Sequence, residues 1–451
     1  MTNLPDIEAF YVERLGKSTI KSPLELSNSM GDGVFNFIND DERVLYDSSL
    51  KSFYAHKDKN ATPISFQKAG PHEYIYFEPA KTKVAIVSCG GLCPGLNNVI
   101  RALVMQLHYR YKVNRIVGIQ FGYEGFIPEY NHPLIELTPE FVDDIHTFGG
   151  TILGSSRGEQ DVREIVNTLE RLGINILFTI GGDGTMRGAH EIHQEIKKRN
   201  LKISVGGIPK TIDNDIGFID RSFGFETAFS KACDIVKDAH NEAKGAYNGI
   251  SIVKLMGRDS GFIAANAVLS APDVNFVIIP EMQFDLYGSR GFLEILRKRL
   301  EQKLHAVIVI SEGAGQYLFQ DKSRLKDASG NIKYKDIGIF LKEKIKEAFD
   351  NWRFRHVIKY IDPSYIIRSA PANPNDSKFC IQLAQNAVHA AMAGITDFVI
   401  GDCNGHFTLL PISLAVKERK KISLESELWY NVLETTGQPY DMLNPQDKEK
   451  G

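Results

Sequence analysis

ILFTIGGDGT at residues 176–185 and ISVGGIPKTIDND at 203–215 each run from an apolar strand pattern straight into glycines and carboxylates. Between them Met186, Ala189, Ile192 and Ile196 recur at helical spacing, which predicts a helix starting after Thr185. Strand, helix and strand make a βαβ unit, whose right-handed crossover brings both strand ends to one edge of a parallel sheet. Asp183 and Asp213 therefore share that edge, where ligands of open α/β sheets bind. Gly181, Gly182 and Gly184 carry no Cβ, so backbone N–H groups can approach phosphate oxygens closely. Asp183, Asp213 and Asp215 are suited to hold a metal ion or to take a proton. A phosphate cradle beside carboxylates points to phosphoryl transfer. The bland alternative for Asp213 and Asp215 is a turn held by Asx-type backbone hydrogen bonds.

The same alternation extends in both directions. Val84-Ala85-Ile86-Val87 is a buried-strand pattern that runs into SCGGLCPG, and an amphipathic helix follows from about Asn97. Residues 115–119 form a second strand. GGTILGSSR at 149–157 is a small-residue loop that ends on Arg157, whose delocalised charge suits phosphate. Val162 to Leu172 step at helical spacing, with Gly173 placed to cap the C-terminus. Ile203-Ser204-Val205 reads as a short strand ending at Gly206. After a long helix from Phe225, a second alternating region begins at Ile250, with further strands at 275–279 and 306–310. Residues 321–336 read as a polar surface loop. Asn404-Gly405 marks a hairpin, and the charged C-terminal tail is expected to pack loosely. Residues 1–80 lack clear alternation and read as an extension packed on a core or a neighbouring subunit.

At 451 residues the chain is too long for one small core, so two or more lobes are expected. A hydrophobic content of 43% and a formal charge of −3 fit a globular protein and exclude a basic nucleic-acid binder. No apolar run is long enough to span a bilayer. The first residues carry both signs of charge and no signal core, and the last four, KEKG, are not a peroxisomal address. A cytoplasmic location is therefore expected. The five cysteines are dispersed and odd in number, which argues for a reducing compartment rather than a disulfide framework. Cys89 and Cys93 have no second pair or histidine cluster to complete a metal site, and read as small loop residues.

Five motifs in order, SCGGLCPGLNNVIR, GGTILGSSR, TIGGDGT, PKTIDND and KLMGRDSG, closely resemble the phosphofructokinase family across residues 84–401. FGFETA at 223–228, SEGAGQ at 311–316 and residues 360–368 are most similar to its long-chain branch from plants, trypanosomatids and some bacteria and protists. The resemblance implies an α/β fold of two Rossmann-like three-layer lobes with mostly parallel sheets. It places an N-terminal extension at 1–83, a nucleotide-binding lobe at 84–228 with 366–400, a sugar-phosphate lobe at 229–365, and a C-terminal hairpin and tail at 401–451. It implies transfer of a phosphoryl group to the 1-hydroxyl of fructose 6-phosphate. Asp213 matches the base, with Thr211 polarising phosphate and Asp215 beside it. Asp183 matches the residue that holds Mg²⁺. Arg258 and Lys210 complete the catalytic set. Gly91, Tyr123, Arg157, Gly158, Gly182, Gly184, Thr185 and Gly188 fall at nucleotide-side positions. Met256, Gly257, Glu312, Lys359, Tyr365 and Arg368 fall at sugar-phosphate positions. In this family some phosphate-binding side chains cross from a neighbouring subunit, which implies a homo-oligomer, a dimer or commonly a tetramer.

Two positions bear on the donor. Family members that use ATP carry Gly after the GGD of TIGGDGT, and pyrophosphate users carry Asp. Here it is Gly184, which leaves room for the α-phosphate. Lys210 is typical of pyrophosphate users, but the long-chain ATP branch combines Gly at the first position with Lys at the second. ATP is therefore the expected donor and pyrophosphate the alternative. A non-catalytic regulatory subunit is disfavoured by the presence of Asp183, Asp213 and Arg258. Gly249 stands where short bacterial members carry a phosphate-binding Arg, while Tyr365 and Lys359 replace their His and Arg. The sugar site is thus expected to differ in detail.

Overall fold

The computed structural model of the chain describes residues 7–58, 61–319 and 333–445. Most of the polar stretch at 321–336 lies outside them. Two sheets organise the rest. The larger has nine strands, in the order Arg43–Leu45, Ser65–Lys68, His406–Pro411, Phe398–Cys403, Ser204–Pro209, Ile176–Gly181, Lys83–Ser88, Arg115–Ile119 and Leu134–Glu136. Its five central strands, from Phe398–Cys403 to Arg115–Ile119, are parallel, and antiparallel strands close both edges. The smaller sheet is all parallel, ordered Phe276–Ile278, His305–Ser311, Gly249–Leu255 and Val357–Ile361. Its two central strands are buried almost throughout, as expected when helices cover both faces.

The decisive βαβ unit forms as its sequence predicts. Ile176–Gly181 and Ser204–Pro209 run parallel, with Pro209 opposite Gly181 at the functional edge. The connecting helix begins earlier than its apolar spacing suggests, at Asp183 rather than after Thr185, and runs to Lys198. An acidic residue in the first turn favours that start, because it faces the positive end of the helix dipole. The second strand runs through Gly206 and Gly207 to Pro209 instead of stopping at Gly206. Large neighbours explain this: a Cβ on Gly206 would stand 2.7 Å from Phe398, and one on Gly207 2.5 Å from Met186 Sδ. The glycines here are strand residues that make room for packed side chains.

Both terminal segments are tied into the core, the first in a way its sequence allows and the second against expectation. Arg43–Leu45 and Ser65–Lys68 of the N-terminal extension pair into the edge of the larger sheet, and Glu13–Arg14 pairs with Ile395–Thr396. The described part of the C-terminal tail, to residue 445, does not pack loosely. Its helix Glu427–Thr436 buries Trp429 and Val432, and Met442 beyond it is fully buried. Burial of these apolar side chains outweighs the charge of the surrounding sequence. The hairpin is where Asn404-Gly405 places it, with both residues at positive φ, 51° and 75°, and Cys403 opposite His406. All five cysteines are free and buried.

Candidate active site

The residues expected on the nucleotide side lie at the glycine-rich ends of three parallel strands. Gly91 follows Lys83–Ser88, and its carbonyl accepts a hydrogen bond from Lys210 Nζ at 2.6 Å. Lys210 is buried, and burial, the largest cause, lowers its pKa from the ordinary lysine value. Arg157 reaches the same place, since a Cβ on Gly91 would lie 3.2 Å from its Nη2. Arg157 and the adjoining Gly158, at φ 111°, are exposed. Gly182 precedes the helix that begins at Asp183. Gly184, one residue on, is exposed, and a Cβ there would meet nothing within 4 Å. This leaves open space next to a helix N-terminus, where backbone N–H groups attract anions. Tyr123 turns inward instead: its hydroxyl donates to the Thr185 carbonyl at 2.7 Å, and a Cβ on Gly188 would be 2.7 Å from its ring. It braces the first turns of that helix.

The TIDND loop follows Ser204–Pro209. Thr211 Oγ1 donates to Asp215 Oδ1 at 2.7 Å and accepts from the Asp213 N–H at 3.2 Å. Asn214, at φ 54°, carries the turn: its side chain accepts from Ser222 N at 2.9 Å and donates to the Asp220 carbonyl at 3.2 Å. That disposes of the simple Asx-turn account for Asp213. Its Oδ1 is buried without a hydrogen-bond partner, and its Oδ2 meets the Arg258 N–H only at 3.5 Å. An unmet buried acceptor costs about 1–3 kcal/mol, so this one fits a group reserved for a ligand. Burial first, then the nearby charges of Asp215 and Glu312, raise the Asp213 pKa to about 7, against the opposing pull of Arg368. Burial also raises that of Asp215.

The residues expected at the sugar phosphate come mainly from the smaller sheet. Met256, Gly257 and Arg258 follow Gly249–Leu255, and Glu312 follows His305–Ser311. Backbone hydrogen bonds stitch these two loops together, Glu312 N to Leu255 O at 2.9 Å and Gly313 N to Gly257 O at 3.1 Å. The Arg258 guanidinium sits 5.0 Å from the centroid of the Tyr334 ring. Other residues named from the sequence stay apart. Lys359 lies mid-strand, opposite Ser251, where it pairs with Glu242. Tyr365 is 84% exposed. Arg368 is half-buried and close enough to act on the charges of Asp213 and Lys210. Gly249 has no room for a larger residue, since a Cβ would be 2.1 Å from the Ala243 carbonyl.

Sequence reasoning missed two residues of this cluster, Arg419 and Asp259. Arg419, in the C-terminal segment, pairs with Asp259, with Asp215 at 3.5 Å and with Asp183 at 3.8 Å. Its setting, KERKK at 417–421, reads as a solvated charge run, and only the fold shows where it goes. Asp259, inside KLMGRDSG, was in plain view but unassigned; it also accepts from the Tyr334 hydroxyl at 3.2 Å.

Residues 83–391 match the family model described as phosphofructokinase. The chain belongs to the phosphofructokinase family. It is 50% identical over 443 residues to an ATP-dependent 6-phosphofructokinase of Borreliella burgdorferi, covering 96% of this chain and 98% of that protein. An Arabidopsis thaliana ATP-dependent 6-phosphofructokinase is 44% identical, over 97% of this chain and 91% of its own length. One from Trypanosoma cruzi is 43% identical over 88% and 81%. Among solved structures, a pyrophosphate-dependent phosphofructokinase from Marinobacter aquaeolei superposes with a TM-score of 0.64 at 19% identity, covering 81% of this chain and 94% of that one. At that identity the likeness speaks for the shared fold. Among the described residues no helix is long and apolar enough to cross a membrane.

Proposed function

We propose that this enzyme is an ATP-dependent 6-phosphofructokinase, transferring the γ-phosphate of ATP to the 1-hydroxyl of fructose 6-phosphate. The observation that carries the mechanism is Asp213 Oδ1, buried, unpartnered and set between the phosphate-binding loops and the MGR loop. Asp213 is the base: with a pKa near 7 it is ionised in a large fraction of molecules at neutral pH and still basic enough to take the hydroxyl proton. Thr211, fixed by Asp215, orients the transferring phosphoryl group. Lys210, Arg157 and Arg258 offset the charge that develops on it. Phosphoryl transfer asks for little more than positioning and charge stabilisation.

The donor set fits Mg²⁺. Asp183 offers a hard carboxylate oxygen at a helix N-terminus, and Asp215 and Asp259 converge on the same guanidinium nearby. Asp183 would hold the ion, which when bound neutralises charge on the donor phosphates. Gly158, Gly182, Gly184, Thr185 and Gly188 make up the nucleotide side, with Gly91 and Tyr123 shaping and bracing it. The open space at Gly184 supports ATP over pyrophosphate. On the acceptor side, Met256, Gly257, Arg258 and Glu312 hold the sugar, with Arg368 at its phosphate. Lys359 and Tyr365, outward-facing within one chain, serve a neighbouring copy in a homo-oligomer.

A coupled assay of purified protein with fructose 6-phosphate and either donor tests the proposal. Turnover with ATP and little with pyrophosphate is expected. Activity confined to pyrophosphate would overturn the donor assignment, and none with either donor would overturn the reaction.

A further inference from the structure

Arg419 is delivered to the catalytic cleft by a built contact. Ile216 and Arg419 form an antiparallel bridge, and Lys420 N donates to the Asp215 carbonyl at 2.8 Å. Lys420 Nζ donates to the carbonyls of Ile219 and Asp220, both at 2.9 Å. Gly217 allows the approach, since a Cβ there would be 3.0 Å from the Glu418 carbonyl. Arg187, on the phosphate helix, donates to the Val416 carbonyl at 3.1 Å and so ties the segment down from the other side. Asp183, Met186, Asp215, Ile216, Val416 and Arg419 line a small pocket between them. The guanidinium is thereby held against three carboxylates, one of which is the residue that would take the metal ion.

That placement has a consequence for the order in which charges assemble. A divalent cation brought alone to Asp183 meets the positive guanidinium on the same carboxylate. A polyphosphate that arrives with the cation reverses the sign of the effect, because a guanidinium fork binds phosphate oxygens well. Without Arg419, Asp215 and Asp259 would lose their guanidinium partner and Asp183 would keep only Arg187, so more negative charge would face an anionic donor. We propose, on the phosphoryl-transfer reading above, that Arg419 is a positioning residue that makes metal entry at Asp183 conditional on the nucleotide's phosphates. Arg187 also reaches Asp183, at 3.1 Å, but its side chain is 58% exposed and it does not bridge to the other two carboxylates.

Free Mn²⁺, followed by its electron paramagnetic resonance signal, is titrated with the enzyme alone and with the enzyme plus adenylyl imidodiphosphate. Two variants, Arg419→Met and Arg419→Lys, are compared with the parent. Arg419→Met is expected to bind free Mn²⁺ about 5-fold or more tightly and the Mn²⁺–analogue pair about 5-fold or more weakly, the range of an ordinary coupling between sites. Arg419→Lys keeps the charge but loses the fork, so its free Mn²⁺ affinity stays near the parent's while its affinity for the pair falls. A merely structural role would weaken both affinities together. That result, or two unchanged affinities, would overturn the proposal. If Arg419→Met lacks a cooperative thermal transition, the lysine variant decides alone, and unchanged affinity for the pair then overturns the proposal. The parent's donor assay keeps the two claims separate: turnover with ATP alongside an overturned Mn²⁺ result sinks only the role of Arg419.

Discussion

The two sides of the cleft are finished to different degrees. On the proposed donor side the expected residues are fixed by contacts within the chain: Lys210 is buried on the Gly91 carbonyl, Tyr123 braces Thr185, and Thr211 is locked to Asp215. On the acceptor side the MGR and SEG loops are equally well stitched, but Lys359 is tied to Glu242 and Tyr365 is 84% exposed. A phosphoryl donor must be held rigidly at the reacting centre, which suits glycine-rich turns on buried strands. An anionic sugar phosphate bound at a distance from the chemistry can be held by side chains from a second copy. On the proposed function, a division between rigid and shared parts would follow from what each has to hold.

The largest way to break the donor side is Asp213→Asn. It keeps the shape and removes the base, so kcat should fall by about 10²–10⁴-fold, with KM for fructose 6-phosphate changed far less. Steady-state kinetics decide it, and full activity in the variant would remove Asp213 from its role. Gly184→Asp comes next. The new carboxylate would enter open space that an α-phosphate needs, and like charges side by side cost several kcal/mol. Activity with ATP should drop on the order of 10²-fold, and any activity with pyrophosphate should change far less. Equal losses with both donors would defeat the steric and electrostatic account.

A smaller effect sharpens the acceptor side. Lys359→Ala should raise KM for fructose 6-phosphate roughly tenfold, the size of one charge-assisted hydrogen bond, and leave kcat nearly intact. If Lys359 acts across an interface, mixing inactive Asp213→Asn chains with Lys359→Ala chains should restore sites of parental KM. Mixtures no better than the average of their parents would mean that Lys359 does not act across an interface.

Much of the donor side was legible because its signal is local. Strand, glycines and carboxylates are consecutive in ILFTIGGDGT and PKTIDND, and a parallel βαβ unit has only one way to bring them together. Strand boundaries were less legible, because Gly206 and Gly207 look like breakers until Phe398 and Met186 are seen to fill the space above them. The packing of Trp429 and Met442 depends on contacts across more than a hundred residues, which no local pattern encodes. Arg419 was hidden for the same reason. Its role is set by Asp183, Asp215 and Asp259, remote in sequence, while its neighbours are ordinary surface charges. Tyr123 shows the converse, a residue the resemblance puts on the nucleotide side whose hydroxyl bonds to the protein's own backbone.

The smallest expected effect tests how the donor side tunes its base. Asp213 acts deprotonated, and its pKa is raised to about 7, so kcat/KM should fall as pH drops below that value, approaching tenfold per unit. Burial is the main cause of the rise and the charge of Asp215 the second, so removing that charge should undo only part of it. In Asp215→Asn the ionised form of Asp213 becomes easier to reach, and the acid limb should move to lower pH by less than one unit. Because the two carboxyls titrate together, the limb reports the pair in the parent and Asp213 alone in the variant. The amide can still accept the Thr211 hydrogen bond through its oxygen, so the loop should hold its geometry and kcat on the plateau should change little. A limb that moves to higher pH would mean that Asp215 stabilises the ionised base instead of opposing it, and the electrostatic account of this site would have the wrong sign.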